Sequence, residues 1–126
     1  MSEGIKYDNN KPRLAEMIID FKEPLLQLCK VWEFGANKYE KSNWKLVVNG
    51  RDRYTNAMLR HLVQEEDSLF DDESKLLHAS HIAFNALARL YFIIESLKLG
   101  TPCSTHPDFK SIVTATENYT TSTGVV

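Results

Sequence analysis

The sequence predicts an all-α fold, a helical bundle of three main helices that is completed by homo-oligomerisation. Apolar residues recur at helical spacing in three segments, approximately residues 24–38, 51–67 and 77–100. Helix signals bound this pattern, with Pro24 near its beginning and Gly100 at its end. Three helices bury little surface alone, so we expect a homodimer or homotetramer to complete the core.

The first main helix begins near Pro24, where the fixed φ of proline suits a first helical residue. It extends to about Lys38. Its apolar stripe comprises Leu25, Leu28, Cys29, Trp32, Ala36 and Tyr39. A short helix of its own is expected at residues 14–21. Residues 6–13 are polar and lack any period, which predicts an extended arm.

A loop over residues 40–52 leads into the second helix, which is predicted over residues 51–67. Its buried face comprises Tyr54, Ala57, Met58 and Leu62. Residues 68–72 form an acidic turn, and Asp72 is predicted as the N-cap of the third helix. The third helix is the longest, with an apolar stripe at Leu77, Ile82, Ala86, Leu90, Ile93 and Leu97.

Composition and charge exclude several classes of protein. With 126 residues, 43% of them hydrophobic, the chain fits one globular domain, which we place at residues 1–100. In residues 101–126, 10 of 26 residues are Ser or Thr, which predicts a flexible tail.

The net charge of −2 argues against binding to a nucleic acid polymer. Without an apolar run of membrane-spanning length, a signal peptide or a cysteine framework, we expect a cytoplasmic protein.

Histidines and carboxylates gather around the turn between the second and third helices. His78 and His81 are three residues apart, so both project from one helical face. If the two helices pack antiparallel, the acidic and histidine groups converge at one end of the bundle: His61, Glu65, Glu66, Asp67, Asp71, Asp72, Glu73, His78 and His81. This pattern predicts a divalent metal site. The alternative is that the acids only complement a helix dipole and the histidines are half-buried helix residues.

A second group of residues fits a nucleotide. Lys38 is placed to meet a phosphate, Tyr39 or Trp44 to stack on a base, and Asn43 to bond its polar edge. The alternative is an ordinary helix C-terminus with aromatic residues in the core. Lys11 and Arg13 flank a proline in the arm, which would close over an anionic ligand; this signal is weaker.

These motifs, in this order, resemble a family of phage and bacterial enzymes. The resemblance covers residues 6–97 and rests on Lys11-Pro12-Arg13, Phe34-Gly35-Ala36, Lys38-Tyr39, Asn43-Trp44, Arg60-His61-Leu62, Asp71-Asp72-Glu73-Ser74, His78-x-x-His81 and Asn85-Ala86-Leu87. The family is the dATP/dGTP diphosphohydrolase N-terminal domain, grouped with MazG-like all-α nucleoside-triphosphate pyrophosphohydrolases.

The resemblance implies a dimeric or tetrameric helical enzyme. It would hydrolyse purine deoxynucleoside triphosphates to the monophosphate and pyrophosphate with a divalent metal, Mg²⁺ or Mn²⁺. MazG-like enzymes usually carry Glu-x-x-Glu on one helix and Glu-x-x-Asp on the next, whereas this chain has His78-x-x-His81 in the second place. Histidine ligands favour manganese, zinc or iron over magnesium. Lys75 stands where the resemblance leads us to expect glycine.

The expected site has three sets of residues. The metal ligands are His61, Glu66, Asp71, Glu73, His78 and His81. The catalytic carboxylates are Glu65, Glu66 and Glu73, with Glu65 or Glu66 as general base. The substrate-binding residues are Lys11, Arg13, Lys38, Tyr39, Asn43, Trp44, Arg60 and Asn85. Attack at the α-phosphorus is implied by the resemblance alone.

Two other functions use the same residues. A non-catalytic binding protein, or sponge, would sequester a nucleotide or a cyclic nucleotide signal without cleaving it. A structural or interaction protein would leave the acidic turn solvated, and its melting temperature would respond to neither metals nor nucleotides.

Overall fold

A computed structural model describes residues 3–100 of the chain. Its α-helices and one 3₁₀ turn follow in the order α1 (Leu14–Asp20), α2 (Lys22–Lys38), the 3₁₀ turn (Asn43–Leu46), α3 (Gly50–Gln64) and α4 (His78–Leu99). No β-strand occurs among these residues, so the all-α prediction is confirmed for this part of the chain. The predicted tail, residues 101–126, lies outside it.

Several helix boundaries differ from those predicted. α2 begins at Lys22, so Pro24 occupies its first turn rather than its first position. α3 ends at Gln64, and turns replace its predicted last residues. The prediction that Asp72 caps the third helix is wrong, because α4 begins only at His78 and its N-cap is Leu77, which has no capping side chain. The reason is the segment before α4, which forms a closed loop with its own hydrogen bonds.

α4 is the helix on which the others assemble. It packs along α3 most extensively and also against α2, whereas α1 contacts α2. Arg89 on α4 donates through Nε to Thr55 Oγ1 on α3 at 2.8 Å. This polar contact joins the two helices that carry the histidines.

An aromatic cluster fastens the loop between α2 and α3 to α4. The 3₁₀ turn holds Trp44 edge-to-face against Tyr91, with ring centroids 4.8 Å apart, and against Phe84 at 6.1 Å. Gly50, the first residue of α3, is buried under the Phe92 ring, which occupies the space that a Cβ would need. Glycine is therefore required for this close approach.

Few apolar residues of the described chain are fully buried. Only Val31 and Ala88 fall in the buried class, and every residue of α1 is exposed. Large apolar side chains remain in solvent, among them Ile19 at 72% and Val63 at 70% exposure. No helix in residues 3–100 has the length and apolarity to cross a membrane.

Candidate active site

A cavity lies among α2, α3, α4 and the loop that carries Trp44. Its volume is about 580 Å³, which suits a small-molecule ligand. Each helix contributes residues spaced three or four apart, so that one face of each borders the cavity. The faces converge because α4 packs against both other helices.

Three histidines meet beside this cavity, and two of them, His61 and His81, border it. His61 comes from the last turn of α3, and His78 and His81 come from the first turn of α4. The Nδ1 atoms of His61 and His78 share a hydrogen bond of 2.9 Å, so at least one of them carries a lone pair. The His61 and His81 rings are stacked, with centroids 4.4 Å apart and planes within 5°.

Asp71 is fixed beside the histidines by the loop that precedes α4. Its Oδ2 accepts hydrogen bonds from the backbone N–H and the hydroxyl of Ser74, both at 2.8 Å. The same hydroxyl oxygen lies 2.7 Å from Nε2 of His81. Because the Ser74 proton goes to Asp71, Nε2–H of His81 donates to Ser74, and Nδ1 of neutral His81 is left unprotonated.

The loop has the backbone conformation that this arrangement needs. The Asp71 N–H donates to the Leu76 carbonyl at 2.7 Å, and the Lys75 N–H donates to the Asp71 carbonyl at 2.8 Å. Lys75 has a φ of 63°, in the left-handed region that glycine adopts at least cost. This conformation explains why a glycine was expected at position 75.

The donor atoms of this cluster are close enough to share a cation. One ligand atom from each of His61, Asp71 and His78 lies within 4.8 Å of the other two. Two imidazole nitrogens and one carboxylate oxygen form a donor set that suits a divalent transition metal. The group is therefore compatible with a divalent metal.

The electrostatics keep the donors in their metal-binding forms. Burial lowers the pKa of His61 and of His81, and neighbouring histidines lower both further, against the opposing charge of Asp71. For Asp71, burial raises the pKa, but the two Ser74 hydrogen bonds and the nearby histidines outweigh it, and the net pKa is lowered. These shifts favour neutral His61 and His81 imidazoles and an ionised Asp71 carboxylate at neutral pH, the forms that bind metals.

Lys38 and Glu73 form an ion pair at the mouth of the cavity. The hydrogen bond to Glu73 raises the pKa of Lys38, and a second interaction with Tyr39 adds to the effect. The two side chains are 40% and 62% exposed, so water screens their attraction and the pair contributes little to stability. Both side chains border the cavity, so the pair places a cation and a carboxylate on its wall.

Many of the predicted site residues border this cavity. They are Lys38, Tyr39, Asn43, Trp44, Arg60, His61, Asp71, Glu73, His81 and Asn85. His78 is 4% exposed and does not border the cavity, but it lies against His61, which does.

Four other predicted residues lie elsewhere. Glu65 and Glu66 follow the last turn of α3 and do not border the cavity. Lys11 and Arg13 are exposed in the arm, where Arg13 pairs with Glu16 at 3.1 Å. The structure therefore does not bring these four side chains to the cavity.

Several residues at or next to the cavity were not among the predicted site residues. Ser74, the last residue of the motif at residues 71–74, joins Asp71 to His81, and its place in that motif was the available signal. Arg53 and Asn56 border the cavity. They precede Arg60 by seven and four residues, so helical spacing from that arginine would have found them.

Comparison with known proteins identifies the family. Residues 1–99 match the family described as dATP/dGTP diphosphohydrolase, N-terminal. The chain belongs to this family. The family resemblance predicted from the motifs is therefore confirmed.

One relative of this family domain is a phage protein. A dATP/dGTP diphosphohydrolase of Salmonella phage PMBT28 is 33% identical over 94 residues, which make up 74% of this chain. The chain spans only 30% of the length of that relative. No solved structure matches the chain significantly.

Proposed function

We propose that this domain hydrolyses purine deoxynucleoside triphosphates, dATP and dGTP, to the monophosphate and pyrophosphate in a metal-dependent reaction. The observation that carries the proposal is the cavity itself, because it joins a His/Asp donor group at one end to cationic and aromatic side chains along its walls. The name of the phage relative supports the same substrate class.

In this proposal His61, Asp71 and His78 hold the divalent ion. When bound, such an ion neutralises phosphate charge and lowers the pKa of a coordinated water. His81 and Ser74 orient Asp71 through the hydrogen bonds between them. The donor set makes manganese a better candidate than magnesium, since imidazole nitrogen suits transition metals.

Cations on the cavity wall bind the triphosphate. Lys38 leaves Glu73 for the phosphate, and Arg53 and Arg60, both exposed and both on α3, clamp the leaving pyrophosphate. The freed Glu73 carboxylate is then the base on the cavity wall that accepts the proton of the attacking water. Glu65 and Glu66 have no role in this proposal, because they lie away from the cavity.

A second copy of the chain completes the domain. The exposed apolar side chains of α1 and α3 need cover, and a homodimer or homotetramer would supply it. We place the active unit in residues 1–100 of each copy and expect it to act in the cytoplasm, where deoxynucleotides occur.

The proposal is tested by product analysis. Purified protein with Mn²⁺ should convert dGTP and dATP to monophosphate and pyrophosphate, and Asp71→Asn should lose this activity. Asp72→Asn is the matched control, because Asp72 is the exposed neighbour outside the cavity. Equal activity of the two variants would contradict the assignment of Asp71. Tight binding of a nucleotide that stays intact with every metal would favour the binding protein over the enzyme.

A further inference from the structure

The cavity wall contains a buried polar side chain that neither the fold nor the metal group uses. Asn85 lies on α4 one turn beyond His81, and only 6% of its surface is exposed. It borders the cavity, yet its amide makes no hydrogen bond to any of residues 3–100. The amide retains some contact with solvent, and the side chain borders the cavity. Its donor and acceptor are therefore available to a ligand in the cavity.

We propose that Asn85 forms hydrogen bonds with the polar edge of the purine base, and that rotation of its amide lets it pair with either adenine or guanine. This inference rests on the proposed function. Adenine presents an amino donor at C6 beside the acceptor N1. Guanine presents an oxo acceptor at C6 beside the donor N1–H. One end of an asparagine amide donates and the other accepts, so a half-turn of the amide pairs it with either base.

The amide of Asn85 is not fixed in one orientation by a hydrogen bond to any of residues 3–100. Small residues border the same cavity, namely Ala57 and Gly35, and a Cβ at Gly35 would meet open space. A flat ring fits beside small residues, and Trp44 and Tyr54 provide aromatic faces on the same cavity for stacking.

The distance from His78 to Asn85 along α4 is compatible with the separation between the phosphates and the base of a nucleotide. At about 1.5 Å of rise per residue, Asn85 lies roughly 10 Å along the helix from His78. His61, Asp71 and Asn85 all border the cavity, and Asn85 lies farther along α4 from the histidines. A nucleotide with its phosphates at the histidines would direct its base toward Asn85.

The inference predicts a change of base preference. Asn85→Asp places an acceptor-only carboxylate at the base edge, which suits the N1–H and N2–H donors of guanine and repels N1 of adenine. We expect the ratio of kcat/KM for dGTP over dATP to rise at least about tenfold. Asn56→Asp is the matched control, because it adds the same charge to an exposed residue of the same cavity and should keep the wild-type ratio. A folded Asn85→Asp variant with the wild-type ratio would overturn the inference.

A second variant decides the question if Asn85→Asp fails to fold. Asn85→Leu keeps the approximate shape and removes both hydrogen-bonding groups. It should raise KM for dATP and dGTP about tenfold or more while inhibition by pyrophosphate, which has no base, stays unchanged. Unchanged KM values, or an equal loss of pyrophosphate inhibition, would overturn the assignment.

The two proposals fail in different ways. A wild-type protein that neither cleaves nor binds any deoxynucleotide would overturn both the proposed function and the role of Asn85. A wild-type protein that cleaves dATP and dGTP, with a ratio that ignores Asn85, overturns the base-reading role alone.

Discussion

At the scale of single residues, the geometry of the candidate site depends on the hydroxyl group of Ser74, which is not one of the proposed metal ligands. Ser74 accepts from His81 and donates to Asp71, so one side chain sets both the tautomer of the imidazole and the direction of the carboxylate. Groups that orient metal ligands in this way affect affinity almost as strongly as the ligands themselves. Ser74 is therefore expected to act on metal binding rather than on the fold.

Replacing Ser74 tests this role. Ser74→Ala removes the hydroxyl's hydrogen bonds to Asp71 and His81, together with one from the Leu76 N–H, and we expect Mn²⁺ affinity, measured by isothermal titration calorimetry, to fall by about 10–100-fold. The control is Ser68→Ala, at an exposed serine whose recorded hydrogen bonds are to Phe70. Equal Mn²⁺ affinity in the two variants would show that Ser74 does not position the ligands.

The histidines predict a dependence of stability on pH. The pKa values of His61 and His81 lie below the ordinary value of 6.5 in the folded protein, so the unfolded chain binds protons first as the pH falls. Their contribution to stability is present above pH 6.5 and is lost as the pH falls through the folded values. Asp71, whose folded pKa is also lowered, adds a second loss below its ordinary value of 3.8.

Urea denaturation without metal provides the measurement. The free energy of unfolding should be smaller one pH unit below 6.5 than one unit above it. His81→Asn should weaken this difference, because asparagine does not titrate. A wild-type protein that is more stable at the lower pH would contradict the sign.

At the scale of elements, the two helices that carry the histidines are brought together by a glycine. Gly50 lets Phe92 of α4 lie directly on the first turn of α3, and this contact helps to fix the register of the two helices. Gly35 in α2 has the opposite surroundings, since a Cβ there meets open space. The same substitution is therefore expected to have opposite effects at the two positions.

Thermal and chemical unfolding of two alanine variants tests that contrast. Gly50→Ala should destabilise the protein by about 1–3 kcal/mol, because the added methyl overpacks against Phe92. Gly35→Ala should stabilise it by up to about 1 kcal/mol, the helix-propensity difference between the two residues. If both variants shift stability in the same direction, the close approach at Gly50 is not what limits packing.

The helices and loops also show which parts of the fold can be predicted from the sequence. Helical periodicity placed α2, α3 and α4, and the short helix at residues 14–21, because an apolar stripe is a local property. The conformation of the loop before α4 could not be predicted from helical periodicity. Its pairing of Phe70 with Leu77 and the left-handed Lys75 depend on contacts across the turn, so Asp72 was wrongly predicted as a cap.

The site was partly predictable for the same reason. The spacing of His78 and His81 put two imidazoles on one face, and the antiparallel turn brought His61 and Asp71 to them. The spacing also predicted Glu65 and Glu66 as site residues, but α3 ends before them and they do not border the cavity. Where a helix ends is decided by tertiary contacts that the local pattern does not contain.

At the scale of the whole molecule, the described chain exposes more apolar surface than a stable monomer usually does. Ile19 on α1 and Val63 on α3 are at least 70% exposed, and no large side chain in residues 3–100 is fully buried. A second copy would remove this surface from water. Self-association is therefore expected to contribute to stability as well as to shape.

Sedimentation velocity tests self-association. The wild-type protein should sediment as a dimer or tetramer at micromolar concentration, and Val63→Glu should shift it toward the monomer. Lys41→Glu, at an exposed residue of the loop after α2, changes charge without touching apolar surface and should leave the assembly intact. A wild-type chain that sediments as a monomer at all concentrations would rule out the proposed oligomer.

The most direct test of the proposed metal-dependent active site is a crystal structure with Mn²⁺ and a non-hydrolysable dGTP analogue. Anomalous scattering should locate a manganese ion bound by His61, Asp71 and His78, in contact with the phosphates of the analogue. A manganese ion bound elsewhere, or an analogue outside the cavity among α2, α3 and α4, would contradict this assignment.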